Sequence, residues 1–199
     1  MKVLITVLVV LAVFVVIGLF LIFSGVYNIS TYNHDFGLMN RALDTAMTHS
    51  VENHAEGIQA PNLDDPEMVR LGAGHYHDNC VGCHGAPGVK PGEISEGLWP
   101  EPPNLTDEVL PWTPSQAFWL VKYGIKFTAM PAWGPSHSDA ELWAIVAFLE
   151  RIHGMSASEY QSLIHTGGPG GTEETSSQPS ALKESTGEQA PGQGDSNHD

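Results

Sequence analysis

Hydrophobic residues follow different patterns along this chain, and the first pattern is a continuous run. From Val3 to Phe23 every position is apolar except Thr6 and Gly18. Such a run predicts a helix about 31 Å long, which matches a bilayer core of about 30 Å. It is longer than the apolar part of a cleaved secretory signal, and no small-residue cleavage site follows it. We therefore expect residues 1–24 to form an uncleaved transmembrane signal anchor.

The second pattern is a helical stripe in residues 25–63, which we interpret as a linker that contains an amphipathic helix. Asp35 is a suitable N-cap for a helix running toward Glu56, and Gly57 is a suitable stop. Two interpretations stay open: an arm that packs on a membrane partner or along the following domain, or a plain amphipathic spacer. The apolar side chains of the stripe recur at about 3.6-residue spacing and are Leu38, Met39, Ala42, Leu43, Ala46, Met47 and Val51.

The third pattern consists of capped helices and begins after residue 63. Asp64 or Asp65 can cap a helix whose first position is Pro66 and which runs toward the two cysteines. Gly72 and Gly74 inside this helix each cost about 1 kcal/mol relative to alanine. That cost predicts close approach by another helix, at a place where a larger side chain would not fit.

Two further helices are predicted in the same domain. Thr113 and Gln116 form a capping box that begins one of them, and Gly124 ends it. Ser138 and Glu141 form a second capping box, which begins the last helix that the pattern predicts. We expect its apolar face to pack on the glycine-bearing face of the helix before the cysteines. That apolar face consists of Leu142, Ile145, Val146, Leu149 and Ile152.

The remaining stretches lack helical periodicity. A long loop rich in glycine and proline follows the cysteines, and it contains the apolar side chains of Leu98, Trp99 and Leu105. Residues 167–199 are mostly small and polar, so we expect a disordered acidic tail. Because no alternating strand pattern occurs, the sequence predicts an all-α fold, with an N-terminal transmembrane helix and a compact domain over residues 64–166.

The chemistry of the chain is concentrated in Cys80-Val81-Gly82-Cys83-His84. The two cysteines are the only ones in the chain, and a histidine directly follows the second. This spacing is typical of covalent haem attachment, in which the two thiols add to the haem vinyl groups. The adjacent histidine then lies under the iron as an axial ligand. We therefore predict one haem c, bound covalently through Cys80 and Cys83 and ligated by His84.

Three other uses of two closely spaced cysteines fit less well. A thioredoxin-like redox pair requires a preceding strand and a parallel sheet, and neither is predicted. A structural zinc site requires two more ligands at similar spacing, but the chain has no second cysteine pair. A disulfide across two residues would close too short a loop to stabilise the chain much.

Met130 is the candidate for the second axial position on the iron. Of the six methionines, it is the one that falls in a predicted loop, 46 residues after His84, and Pro131 restricts the backbone before it. A thioether ligand is uncharged and favours the reduced iron, which raises the reduction potential. The plain alternative is a methionine that fills a gap in the core. We favour ligation.

Together these features resemble a class I monohaem cytochrome c over about residues 64–155. The resemblance is carried by the Cys-x-x-Cys-His motif, by Pro103-Asn104-Leu105 and by Met130-Pro131. It implies a compact all-helical fold with a partly exposed haem edge. It also implies that the Pro103 carbonyl accepts the Nδ1 proton of His84, and that Leu105 packs on the haem.

Net charge narrows the range of partners and the topology. The chain carries 23 acidic and 8 basic side chains, for a formal net charge of −15. Nucleic acid and anionic lipid headgroups are therefore not expected as partners. Lys2 is the only charge before the apolar run. The positive-inside tendency thus predicts a cytoplasmic N-terminus and a domain on the outer side. In bacteria the haem-attachment chemistry is expected on the outer side of the inner membrane, so we predict a single-pass protein of that membrane with its domain on the periplasmic or outer side.

An iron with both axial positions filled leaves no place for a substrate, so we predict an electron carrier and not an enzyme. The expected partners are membrane-bound or periplasmic redox proteins: a quinol-oxidising complex or periplasmic dehydrogenase as donor, and a terminal oxidase or other acceptor. An alternative is a fixed cytochrome subunit of a larger respiratory or dehydrogenase complex. A haem enzyme or gas-binding sensor with an open sixth position is the third interpretation.

Overall fold

The computed structural model describes residues 1–26, 28–32, 37–107 and 110–167, and these residues form eight helices. The described residues contain no β-strand, only an isolated bridge between Ala86 and Val89. The predicted all-α fold with one N-terminal apolar helix is therefore confirmed. The helices are α1 (Lys2–Phe23), α2 (Gly37–Ala55), α3 (Pro66–Asn79), α4 (Val81–His84), α5 (Glu93–Glu96), α6 (Pro114–Tyr123), α7 (Asp139–Ile152) and α8 (Ala157–Gly167).

Helix α1 is the apolar run at the start of the chain. It has 22 residues, and none of its side chains is buried. By length and composition it is able to cross a membrane. These properties suit an anchor and a signal alike, so the anchoring of residues 1–24 stays a prediction.

The core of the compact domain lies where α3 crosses α7. A Cβ on Gly72 would lie 1.8 Å from the carbonyl oxygen of Ala144, so only glycine lets the two backbones approach this closely. One turn further along α3, the ring centroids of Tyr76 and Phe148 lie 5.1 Å apart. The close helix approach predicted from Gly72 is confirmed, and the face of α7 expected at this contact is buried.

Three helices begin at the predicted N-caps. The Asp65 carboxylate caps α3. Thr113 and Gln116 make both hydrogen bonds of a capping box at the start of α6. Ser138 and Glu141 make the same pair of bonds at the start of α7. Each bond joins residues that are two or three positions apart, which is why the local sequence is enough to predict it.

Helix α8 was not predicted, because the sequence pattern placed the last helix at α7. It begins with a third capping box, in which Ser156 Oγ accepts the Glu159 N–H at 3.2 Å and Glu159 Oε2 accepts the Ser156 N–H at 2.8 Å. Tyr160 of α8 is fully buried, and its hydroxyl oxygen lies 2.8 Å from Nδ1 of His77 on α3. The ordered domain thus extends to the end of α8, and the tail predicted after it lies outside the described residues.

Helix α2 lies in the predicted linker and packs on the compact domain. Its C-terminal half meets α6: Val51 is fully buried, and the rings of His54 and Trp119 lie 5.5 Å apart. The N-cap predicted at Asp35 lies outside the described residues. Of the two interpretations of this stretch, the packing favours an arm along the domain over a plain spacer.

Candidate haem site

The cysteine motif continues the helical backbone of α3 into α4. The Cys80 N–H donates to the Tyr76 carbonyl at 2.8 Å, and the His84 N–H donates to the Cys80 carbonyl at 2.9 Å. Residues three and four apart on a helix share a face. The side chains of Cys80, Cys83 and His84 therefore come together, and all three line one cavity.

His84 is held in the tautomer that an iron ligand requires. Its ring nitrogen Nδ1 lies 2.9 Å from the Pro103 carbonyl oxygen. A carbonyl only accepts, so Nδ1 carries the proton and donates it, and Nε2 keeps its lone pair. Burial lowers the pKa of His84, and the bond to the Pro103 carbonyl opposes this shift. The imidazole is thus neutral near pH 7, and the hydrogen bond implied by the resemblance is present.

Two further bonds fix the backbone around this histidine. The Tyr76 hydroxyl donates to the Gly85 carbonyl at 2.7 Å, in a buried position directly after His84. The Leu105 N–H donates to the His84 carbonyl at 3.3 Å, and the Leu105 side chain is buried in the cavity wall. The histidine is therefore positioned by α3 on one side and by the loop that carries Pro103 on the other.

In the described part of the chain, the two thiols lack the companion ligands of a structural metal site. Burial raises the pKa of Cys80 to about 12, and the neighbouring Cys83 adds to the rise. Both cysteines are free. Across residues 1–26, 28–32, 37–107 and 110–167, no three His, Cys, Asp or Glu side chains group as ligands of a bare metal ion.

Met130 is held in place by the loop between α6 and α7. The Ile125 N–H donates to the Met130 carbonyl at 3.2 Å, and the Met130 N–H donates to Thr128 Oγ1 at 3.1 Å. Gly124 ends α6 at a φ of +66°, and a Cβ there would lie 2.8 Å from the Met130 carbonyl oxygen. The loop therefore folds back against the end of α6, and Met130 lines the same cavity as His84.

This cavity brings together all the residues that the sequence singled out. Its volume is about 560 Å³, within the range of about 300–1,000 Å³ that is typical of cofactor pockets. Its walls include Cys80, Cys83, His84, Pro103, Leu105 and Met130. A mostly apolar cavity that presents two thiols, a neutral imidazole and a thioether fits a haem, because haem iron accepts nitrogen and sulfur ligands and the macrocycle is apolar.

The cavity also has a wall that the sequence analysis did not assign. Four residues of α2 line it: Asn40, Leu43, Asp44 and Met47. The apolar stripe on α2 was the available signal, but a stripe does not say what it faces. Met47 matters in particular, because it is a second methionine on the same cavity as Met130.

The sequence of the compact domain is similar to a known family. Residues 67–149 match the family model described as cytochrome c oxidase, cbb3-type, subunit III. This match supports a c-type cytochrome domain in this part of the chain. The match begins in α3 and ends in α7, so it leaves out α1, α2 and α8. No curated protein and no solved structure matches the chain at a significant level. A cytochrome c domain transfers electrons through haem, in agreement with the chemistry of the cavity.

Proposed function

We propose that this protein transfers single electrons through one haem c, bound covalently to Cys80 and Cys83 and coordinated by His84 and Met130. The observation that carries the proposal is the shared cavity. It is lined by both cysteines, by the neutral imidazole of His84 and by the thioether of Met130. The cytochrome c domain over residues 67–149 supports the same conclusion.

A haem bound in this cavity would supply reversible one-electron oxidation and reduction of its iron. His84 offers the lone pair of Nε2, and the Pro103 carbonyl holds the ring in that tautomer. Met130 offers an uncharged thioether, which favours the reduced state. His84 and Met130 would together hold the iron and leave no ligand position for a substrate. The chemistry that the haem would supply here is therefore the passage of one electron from a donor to an acceptor, with no atom transferred.

The ligand-bearing segments are held by hydrogen bonds to the surrounding backbone, which suits this role. Met130 lies in a loop bonded to the end of α6, and His84 lies between α3 and the loop that carries Pro103. Small geometric change between two oxidation states lowers the energy needed for reorganisation. We therefore assign the protein as an electron carrier.

We further propose that α1 tethers the carrier to a bacterial inner membrane, with the domain on the periplasmic or outer side. Its length and apolar composition support this assignment. A tether replaces free diffusion by a raised local concentration near other membrane proteins. The donor would then be a quinol-oxidising complex or a periplasmic dehydrogenase, and the acceptor a terminal oxidase or another redox protein.

A second candidate is a fixed cytochrome subunit of a respiratory oxidase complex. The observation in its favour is the description of the matched family as a subunit of a cbb3-type oxidase. Purification from membranes in mild detergent distinguishes the two. Stoichiometric co-purifying subunits would support the fixed subunit, and a haem protein that purifies alone would support the carrier.

The haem ligands are tested in the purified full-length protein. We expect haem to stay with the polypeptide after acid–acetone extraction, and we expect the ferric protein to show the charge-transfer band of a sulfur–iron bond. Met130→Ala should abolish that band and let the reduced protein bind carbon monoxide. Met39→Ala is the matched control, since Met39 is 54% exposed.

Met47→Ala distinguishes the two methionines that line the cavity. Loss of the band in Met47→Ala, with the band intact in Met130→Ala, would assign the ligand to α2 and contradict our assignment. Carbon monoxide binding by the unmodified reduced protein would instead support a haem enzyme or gas sensor with an open position. Haem that is extracted by acid–acetone would contradict covalent attachment.

A further inference from the structure

We propose that α2 is part of the haem site, and that it covers one edge of the haem with Leu43 while placing the Asp44 carboxylate beside it. This inference rests on the proposed function, because it assigns residues to the same cofactor. Helix α2 lies outside the part of the chain that matches the cytochrome family. The wall that it forms is therefore an addition of this chain to the matched domain.

The cavity-lining residues of α2 occupy one helical face. Asn40, Leu43, Asp44 and Met47 follow the spacing i, i+3, i+4 and i+7, and all four line the cavity. The same face continues into Val51, which is fully buried. A single stripe thus serves two purposes: its C-terminal half packs on protein, and its N-terminal half faces the cofactor cavity.

The C-terminal half holds this wall in position. Beyond the end of α2, the Ser115 hydroxyl of α6 donates to the Ile58 carbonyl at 2.8 Å. Within α2, His54 lies against the ring of Trp119 on α6. These contacts tie α2 to α6, and the loop that follows α6 carries Met130. The wall and the proposed ligand loop are thus fixed to the same helix.

Within the part of the chain that the structure describes, the N-terminal half of this face is only partly covered. Leu43 is 38% exposed although it lines the cavity, whereas Val51 on the same face is 0% exposed. Apolar side chains gain stability when their surface is removed from water. A haem in the cavity would cover Leu43, and Leu43 would in turn exclude water from the haem edge.

Leu43 and Asp44 would therefore act on the reduction potential in opposite directions: Leu43 excludes water, whereas Asp44 adds a negative charge. Ferric haem carries one more positive charge than ferrous haem, so access of water favours the ferric state and lowers the potential. A carboxylate beside the haem also favours the ferric state. Replacing Leu43 by a polar residue should therefore lower the potential, and neutralising Asp44 should raise it.

The test measures the reduction potential of the full-length holoprotein in mild detergent for Leu43→Ser and Asp44→Asn. Matched controls on α2 are Leu38→Ser and Glu52→Gln, because neither residue lines the cavity and both are exposed. We expect a fall for Leu43→Ser and a rise for Asp44→Asn, with both controls unchanged. Potentials of Leu43→Ser and Asp44→Asn that equal those of the controls would overturn the inference.

A second measurement needs no variant. In the reduced protein, the haem ring current should shift the methyl NMR signals of Leu43 and Met47 away from their ordinary positions. Unshifted signals would place α2 away from the haem and overturn the inference. Haem content distinguishes failure of this inference from failure of the proposed function. A wild-type protein without covalent haem would contradict the proposed function. A haem-loaded protein with unshifted signals would contradict only the role of α2.

Discussion

Helices α2 and α8 both lie outside the segment that matches the cytochrome family, and both pack on it, but they do so in different ways. Helix α8 is attached through Tyr160, whose side chain is fully buried and whose hydroxyl oxygen lies 2.8 Å from Nδ1 of His77. Helix α2 is buried only in its C-terminal half, at Val51 and Ala55. Its N-terminal half faces the cavity.

The difference indicates a division of roles between the two added helices. Helix α8 packs on α3, and none of its described residues lines the cavity. Gly88 illustrates the close fit, since a Cβ there would lie 2.6 Å from the Cβ of Ala157. We therefore expect changes in α8 to affect stability, and changes in the N-terminal half of α2 to affect the haem.

The largest effect on stability is expected at Tyr160. Tyr160→Ala should lower the free energy of unfolding by about 3–5 kcal/mol, because it removes a fully buried aromatic ring. Tyr160→Phe keeps the ring and loses only the bond to His77, so it should cost about 1 kcal/mol. Guanidinium unfolding of the holoprotein in mild detergent, followed by haem absorbance, measures both.

Tyr123→Ala is the matched control for this prediction, since Tyr123 is 55% exposed. If Tyr160→Ala destabilised the protein no more than this control, α8 would not be part of the cooperative fold. The reduction potential provides the other half of the comparison. We expect it to be unchanged in Tyr160→Phe, unlike in the α2 variants.

A smaller effect is expected at Val51, where α2 packs on protein. Val51→Ala removes two methyl groups from a fully buried side chain, which should cost about 2 kcal/mol. Met39→Ala, at an exposed position on the same helix, should stay within about 0.5 kcal/mol of the wild type. The same unfolding experiment measures both. Equal effects at the two positions would contradict the packing of α2 on the domain.

The smallest effect is a pH dependence at the start of α8. Hydrogen bonds from the Ser156 hydroxyl and then the Ser156 N–H lower the pKa of Glu159 below its ordinary value of 4.5. A lowered carboxyl pKa contributes stability that is present above 4.5 and is lost as the pH falls through the folded-state pKa. In Glu159→Gln, the guanidinium concentration at the midpoint of unfolding should therefore fall less steeply as the pH is lowered.

Glu150→Gln is a suitable control for the acid titration, because Glu150 is exposed and forms no hydrogen bond or ion pair in the described part of the chain. The two variants should differ only below about pH 4.5. If the unfolding midpoint of Glu159→Gln falls with decreasing pH as steeply as that of the control, this cap does not contribute to the pH dependence of stability.

The predictions that succeeded from sequence depend on interactions between residues close together in the chain. The N-caps at Asp65, Thr113 and Ser138 bond to groups two or three residues away. Gly72 was informative for a related reason: glycine inside a helix carries a cost, and a close helix approach explains it. Helix α8, which was not predicted, begins with a capping box of the same kind, but its apolar pattern is shorter than that of α7 and gives a weaker helical signal.

The residues of the candidate haem site also fall into two groups, those placed by local sequence and those placed by the fold. Local order places Cys80, Cys83 and His84 on one helical face, because residues three and four apart share a face. Met130 was selected because it lies in a predicted loop beside Pro131, and Pro103 was implied by the family resemblance. No bond between near neighbours points either residue at the cavity. Their meeting with His84 in one cavity is a property of the folded chain.

The sequence by itself determined the apolar run, the helix starts and the covalent attachment motif, because each depends on composition or on bonds between near neighbours. The tertiary structure alone decided that α8 closes over α3, and that the stripe on α2 faces the cavity through Leu43 and packs on α6 through Val51. An amphipathic stripe specifies that one face of a helix must be covered. What covers it depends on where distant helices lie, and that is set by their packing.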